Sequence, residues 1–134
     1  MSRFDPKAIA VAMLLSLALD VIGSAVLLAS FGTGLTEGMS SDDVKAVLDA
    51  LPQNTGFLLA SLTYGIFTTG LGGYIAARMA RAYPYFNALA IALLGILLGL
   101  VLTDDWPWWF DAIGYLSMPP AALLGGHIAR QPKA

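Results

Sequence analysis

Asp20 is the acidic residue set deepest in an apolar run, about 11 residues before Phe31. That is ~16 Å along a helix rising ~1.5 Å per residue. A carboxylate at such depth in lipid costs several kcal/mol unless it is paired, hydrated or neutralised by taking up a proton. Such a group binds a polar solute or relays protons. Alternatively, it hydrogen-bonds in protonated form across neighbouring helices and fixes their pairing. Ser16 and Ser24 lie one turn to either side on the same face, and Tyr64, Thr68, Tyr115 and Ser117 reach similar depth on other apolar runs. Asp20, Tyr64 and Tyr115 form the candidate ligand or proton site. No cation accompanies Asp20 within its run, so both the solute-handling and the structural reading stand.

Other chemistry finds little to build on. The chain has no cysteine and one histidine, His127, so thiolate sites and clusters are excluded and no metal site is expected. Serine chemistry needs a base beside the nucleophile, and no G-x-S-x-G occurs. An intramembrane aspartyl protease needs two facing aspartates, a retinal-type Schiff base needs a buried lysine, and neither a P-loop nor a dinucleotide fingerprint is present. No catalytic residue, no cofactor and no enzymatic activity are expected.

The elements that must hold these residues follow from hydropathy. Of 134 residues, 57% are apolar and 12% charged, half the charge of an average soluble domain; the mean hydropathy is +0.72. The apolar residues fall in four runs at about 8–31, 56–77, 85–102 and 106–129. About 20 helical residues cross a ~30 Å hydrocarbon core. Period-2 alternation is absent, which argues against a barrel. The expected fold is a single all-α membrane domain over 1–134, a four-helix transmembrane bundle. The first run exceeds a typical signal-peptide core of ~7–15 residues, although Leu28-Ala29-Ser30 near its end leaves cleavage open.

Charges orient the spans. Arg3, Lys7, Arg78, Arg81, Arg130 and Lys133 fall at the termini and in the loop after the second span. Glu37, Asp42, Asp43, Asp49, Asp104, Asp105 and Asp111 fall in the other two loops, with Lys45 the one cation there. The positive-inside rule places both termini in the cytoplasm of a bacterial inner membrane. Trp106, Trp108 and Trp109 on one side, with Tyr83, Tyr85 and Phe86 on the other, read as interfacial anchors. No basic surface for nucleic acid is present.

The outer loop holds its own helix. Ser40 followed by Asp43 resembles a capping box, and Val44, Val47, Leu48 and Leu51 form one apolar stripe ended by Pro52. A short amphipathic helix over about 41–51 is expected, lying on the membrane surface, capping the bundle, or docking a partner.

Within lipid, small residues let backbones approach closely. Rows at spacing four run through Ala8, Ala12, Ser16, Asp20 and Ser24 in the first span, and through Ser61, Gly65, Thr69, Gly73 and Ala77 in the second. A further pair, Gly95 and Gly99, marks the third span, and Gly125 with Ala121 and Ala129 the fourth. Gly65, Gly73, Gly95, Gly99 and Gly125 are the candidate packing positions. Pro119 and Pro120 in the fourth span predict a kink or break, with freed carbonyls at Tyr115 and Leu116.

Two stretches repeat. Leu71-Gly72-Gly73-Tyr74-Ile75-Ala76-Ala77-Arg78 ends the second span, and Leu124-Gly125-Gly126-His127-Ile128-Ala129-Arg130 ends the fourth. Two parallel hairpins, about 1–80 and 82–134, are one reading, and convergence on a helix exit is the other. These stretches, with the segment running on from GGYIAARMARAYPYF and the closing PPAALLGGHIAR, resemble a group of small four-span bacterial inner-membrane proteins of unknown function. The resemblance implies a fold and a compartment, and no activity. The leading functional expectation is association in the lipid bilayer, as a homo-oligomer or as an accessory subunit of another membrane protein. The alternative is a small-solute or proton-coupled transporter centred on Asp20.

Overall fold

The computed structural model describes residues 3–32, 34–102 and 105–131; Thr33, Asp104 and Lys133 lie outside them. The described residues form five α-helices, α1 (Pro6–Phe31), α2 (Ser41–Ala50), α3 (Thr55–Met79), α4 (Pro84–Val101) and α5 (Trp108–Arg130), and a 3-10 turn over Leu51–Gln53. No strand occurs among them.

Local chemistry sets the ends. Asp5 accepts hydrogen bonds from the backbone N–H groups of Lys7 and Ala8, with Pro6 at the first helical position, so α1 starts two residues before the expected boundary. Ser40 caps α2 by accepting from the Asp43 N–H and donating to its carboxylate at 2.7 Å. Asn54 caps α3 through the Phe57 N–H. The amphipathic helix is shorter than 41–51, because Leu51 and Pro52 belong to the 3-10 turn. The helix expected as the fourth span, α5, starts at Trp108, not Trp106, because Pro107 occupies the cap position. Of the kink or break expected at Pro119 and Pro120, the break does not occur: α5 runs continuously through both. Their missing N–H groups still leave the Tyr115 and Leu116 carbonyls without their usual intrahelical donors.

α1, α3 and α4 are long and apolar enough to cross a membrane. Their outward faces are aliphatic, with Val21 70% and Val101 81% exposed. Continuous apolar surface of that kind is stable against lipid and not against water. α5 has comparable length but carries Asp111, His127, Arg130 and two prolines.

α3 is the central helix and packs most extensively on α5, then on α1 and α4; α4 also packs on α5 and more lightly on α1. Close approach explains the first of these. A methyl on Gly125 would meet the Gly70 carbonyl oxygen, and one on Gly73 would meet the Ala122 backbone. Ala12, Ala76 and Ile91 join α1, α3 and α4 in one buried cluster; Ala77, Ala88 and Ala129 join α3, α4 and α5 in another.

Asn87, unremarked in the sequence, ties the basic end together. Fully buried, it accepts from the Asp5 N–H at 2.7 Å and donates its amide protons among the carbonyls of Tyr83, Ala82 and Arg3 at 3.0–3.3 Å. The start of α1 is thereby bonded to the turn between α3 and α4. Tyr83, in that turn, has the left-handed backbone (φ 50, ψ 56). Nearby, the Tyr85 hydroxyl and His127 Nδ1 share a 2.9 Å hydrogen bond, and the Arg130 guanidinium lies 5.2 Å from the Tyr85 ring centroid.

The two L-G-G stretches do not make equivalent contacts. Gly72 faces Ser16 and Ile91, while its counterpart Gly125 faces Gly70; Gly73 faces Ala122, while its counterpart Gly126 faces Ala88 and Ala77. Glycine serves close packing in both, but against different partners.

Candidate functional site

The small-residue row of α1 changes character along its length. Ala8, Ala12 and Ser16 are buried, Asp20 is half-buried, and Ser24 is exposed. Beyond Ser16 the row thus leaves the packed interior, and a cleft of about 1210 Å³ occupies the space it faces. Asp20, Ser24, Leu27 and Leu28 of α1 line one wall, and Phe57, Ser61, Tyr64 and Gly65 of α3 line the other. Trp106, Pro107 and Phe110 close a third side, while Lys45, Leu48 and Asp49 of α2 stand at the rim. Since Asp49, Gln53 and Asp105 lie in the connections between the long helices, the mouth is at the acidic end. Asp20 is the charged group farthest from that end.

Tyr64 sets the floor. Its ring lies against Gly23, where any side chain would overlap it, and its hydroxyl donates to the Leu19 carbonyl at 2.5 Å. The absence of a side chain at Gly23 therefore lets α1 and α3 meet one turn from Asp20. Tyr64 is committed to this bond and is a fastener, not a free hydroxyl. Thr68, buried on α3, stands beside the Asp20 carboxyl and donates to the Gly65 carbonyl at 3.1 Å. One turn below Asp20, the buried Ser16 hydroxyl has no hydrogen-bond partner among the described residues.

Tyr115 is placed elsewhere. It lines a separate cavity of about 240 Å³ among α3, α4 and α5, with its ring against Gly99. The structure brings Asp20 and Tyr64 to one cleft and sets Tyr115 in the next, the two sharing Ser61, Gly65, Trp106 and Phe110 in their walls. Ser117 lines the second cavity and donates to the Gly114 carbonyl.

The candidate packing glycines divide likewise. Gly73 and Gly125 carry backbone contacts, Gly99 receives Tyr115, and Gly95 faces the Met118 sulfur at ordinary distance. Gly65 is not a packing position: apart from its own helix backbone, no atom of the described residues lies within 4 Å of where its Cβ would stand, and it opens onto both cavities.

The rim is aromatic and charged. Phe57, Trp106 and Phe110 form a stack, with Trp106 centroids 6.0 and 5.0 Å from its neighbours. Trp106 is thus a wall residue, whereas Trp108 is 80% exposed and suits an interfacial anchor. Lys45 pairs with Asp49 at 3.0 Å, one helical turn apart on α2, a solvent-exposed pair of small energetic weight. Among the described residues, the cleft therefore carries three carboxylates against one ammonium that is already partnered. Among the described residues, no three His, Cys, Asp or Glu side chains converge as a metal site would require. Sequence spacing did not reveal Gly23, Phe57 or the rim residues as cleft components. The signal for Gly23 was its position one residue off the spacing-four row.

No protein-family model, curated protein or solved structure matches the chain.

Proposed function

We propose that this chain is a four-span protein of a bacterial inner membrane, with both termini in the cytoplasm, that admits a small polar solute from the outer side to Asp20. α5 is the fourth span in this reading: its 23 residues extend about 34 Å at the helical rise. The distribution of charge supports the orientation, since six of the seven Lys and Arg residues fall at the termini and in the loop between α3 and α4. The resemblance of the L-G-G stretches to small four-span inner-membrane proteins belongs to the same reading. The single observation that carries the function is the half-buried Asp20 carboxyl at the inner end of a cleft that opens at the acidic end. Binding and passage need no catalytic group, and the reading is non-enzymatic.

Association, as homo-oligomer or accessory subunit, is the second reading. The surplus of small-residue rows that favoured it is reduced, because Gly70, Gly72, Gly73, Gly125 and Gly126 all pack within the chain. What still favours it is α2, an amphipathic helix with no buried residue.

The cysteine-free chain suits a direct test. In sealed cells, a membrane-impermeant thiol reagent labels Ser24→Cys, in the cleft, and leaves Ile22→Cys, on the outward apolar face of α1, unreacted. Absence of labelling at Ser24→Cys, or equal labelling of both, overturns the solute cleft.

A further inference from the structure

Resting on the solute-cleft reading, we propose that the ligand is a small organic monocation, an alkylammonium whose charged head sits at Asp20 and whose apolar body lies against the cleft walls. Charge decides the sign. Among the described residues, Asp20, Asp49 and Asp105 line the cleft against Lys45 alone, and the Lys45 ammonium is held 3.0 Å from Asp49 at the rim. An anion would place negative charge beside the Asp20 carboxylate, where like charges repel, and the carboxylate of a zwitterion would meet the acidic rim.

The walls decide the kind of cation. Leu27, Leu28, Phe57, Trp106 and Phe110 offer apolar surface, from which a hydrated inorganic ion gains nothing and an alkyl group gains by leaving water. A bare metal ion needs several oxygen ligands at fixed short distances, and no set of three acidic or histidine side chains converges among the described residues. One carboxylate, with the Ser61 hydroxyl along the way, matches one ammonium. The cleft of about 1210 Å³ exceeds the roughly 300–1,000 Å³ of sites that enclose drug-sized ligands, leaving room for a compact ammonium together with water. Phe57 precedes Tyr64 by seven residues on α3, about 10 Å of rise, so an alkylammonium of moderate length reaches from the aromatic rim to the carboxyl.

The test uses the full chain in sealed vesicles, with Ser24→Cys as reporter and hexylammonium as probe. Saturating hexylammonium slows labelling at least fivefold, whereas sodium at equal ionic strength and a neutral alcohol of equal chain length do not. In the Asp20→Asn background, half-protection needs at least tenfold more probe, and in Asp20→Glu, which keeps the charge, protection persists. Monodisperse elution of each variant in detergent establishes that it is folded. Labelling that hexylammonium leaves unchanged, that sodium slows equally, or that is protected to the same degree in Asp20→Asn overturns the choice of ligand while the solute cleft stands. Failure of Ser24→Cys to label at all overturns both.

Discussion

Replacing Asn87 with alanine removes the polar group on which the basic end of the fold converges. The side chain is 0% exposed and bonds the Asp5 N–H at 2.7 Å, the Tyr83 carbonyl at 3.0 Å, and the Ala82 and Arg3 carbonyls at 3.2 and 3.3 Å. Two amide protons serve three carbonyls, so the substitution removes about three net hydrogen bonds. Each contributes roughly 0.5–1.5 kcal/mol, and the orphaned Asp5 N–H adds desolvation of roughly 1–3 kcal/mol where water cannot replace the lost partner. Partial hydration at a helix end lowers the sum, and we expect a loss of about 2–4 kcal/mol. The left-handed Tyr83 backbone, costly for any residue with a Cβ, also loses the amide that holds its carbonyl. Reversible unfolding in mixed detergent micelles, followed by circular dichroism, measures the loss. Asn87→Asp supplies the control, because a carboxylate accepts from Asp5 but donates nothing to Tyr83. It should destabilise at least as much as Asn87→Ala. An Asn87→Ala protein within about 0.5 kcal/mol of the parent, or an Asn87→Asp protein of parental stability, refutes the reasoning.

Other substitutions separate packing glycines from lining glycines. Gly125→Ala places a methyl against the Gly70 backbone, which cannot swing aside as a side chain can. We expect a loss of about 1–3 kcal/mol in the same unfolding assay, whereas Gly65→Ala, with nothing within 4 Å, is neutral or gains up to ~1 kcal/mol of helix propensity. Gly23→Ala must displace the Tyr64 ring and break its bond to the Leu19 carbonyl; faster hydrogen exchange in the middle of α1 checks this. Ser40→Ala removes the cap of α2, a helix with no buried residue to compensate. Its loss of about 1 kcal/mol should appear as faster amide exchange across 41–50, with exchange in α3 unchanged.

Much of the architecture was legible from hydropathy, because lipid imposes on a helix a length and a composition that few sequences meet by accident. The positions of α1, α3 and α4, the capping of α2 by Ser40 and the need for small residues along α3 and α5 were all written locally. Periodicity shows that a residue lies on a stripe and not which neighbour the stripe meets. Gly65 and Gly73 share one row, yet Gly73 packs on Ala122 while Gly65 lines open space. Equal depth likewise suggested that Asp20, Tyr64 and Tyr115 meet, but depth is one coordinate of three. Tyr115 turns toward Gly99 on α4, and Tyr64 turns toward Gly23 on α1. Asn87 was invisible because the contacts that give it its role, to the Asp5 N–H and the Arg3 carbonyl, reach backbone more than 80 residues away, and a lone amide near a helix start carries no pattern.

The order of residues alone determined the medium, the helices and the depth of Asp20, since each depends on the summed hydropathy or charge of neighbours along the chain. Only the tertiary structure decided that a cleft opens beside α1 beyond Ser16, that Tyr64 fastens α1 to α3 at Gly23 while Phe31 meets Phe57 near the rim, and that the cleft ends on a carboxyl. Those features depend on how far apart two helices run at a given level. Side-chain volume on both helices sets that distance together, and neither helix specifies it alone.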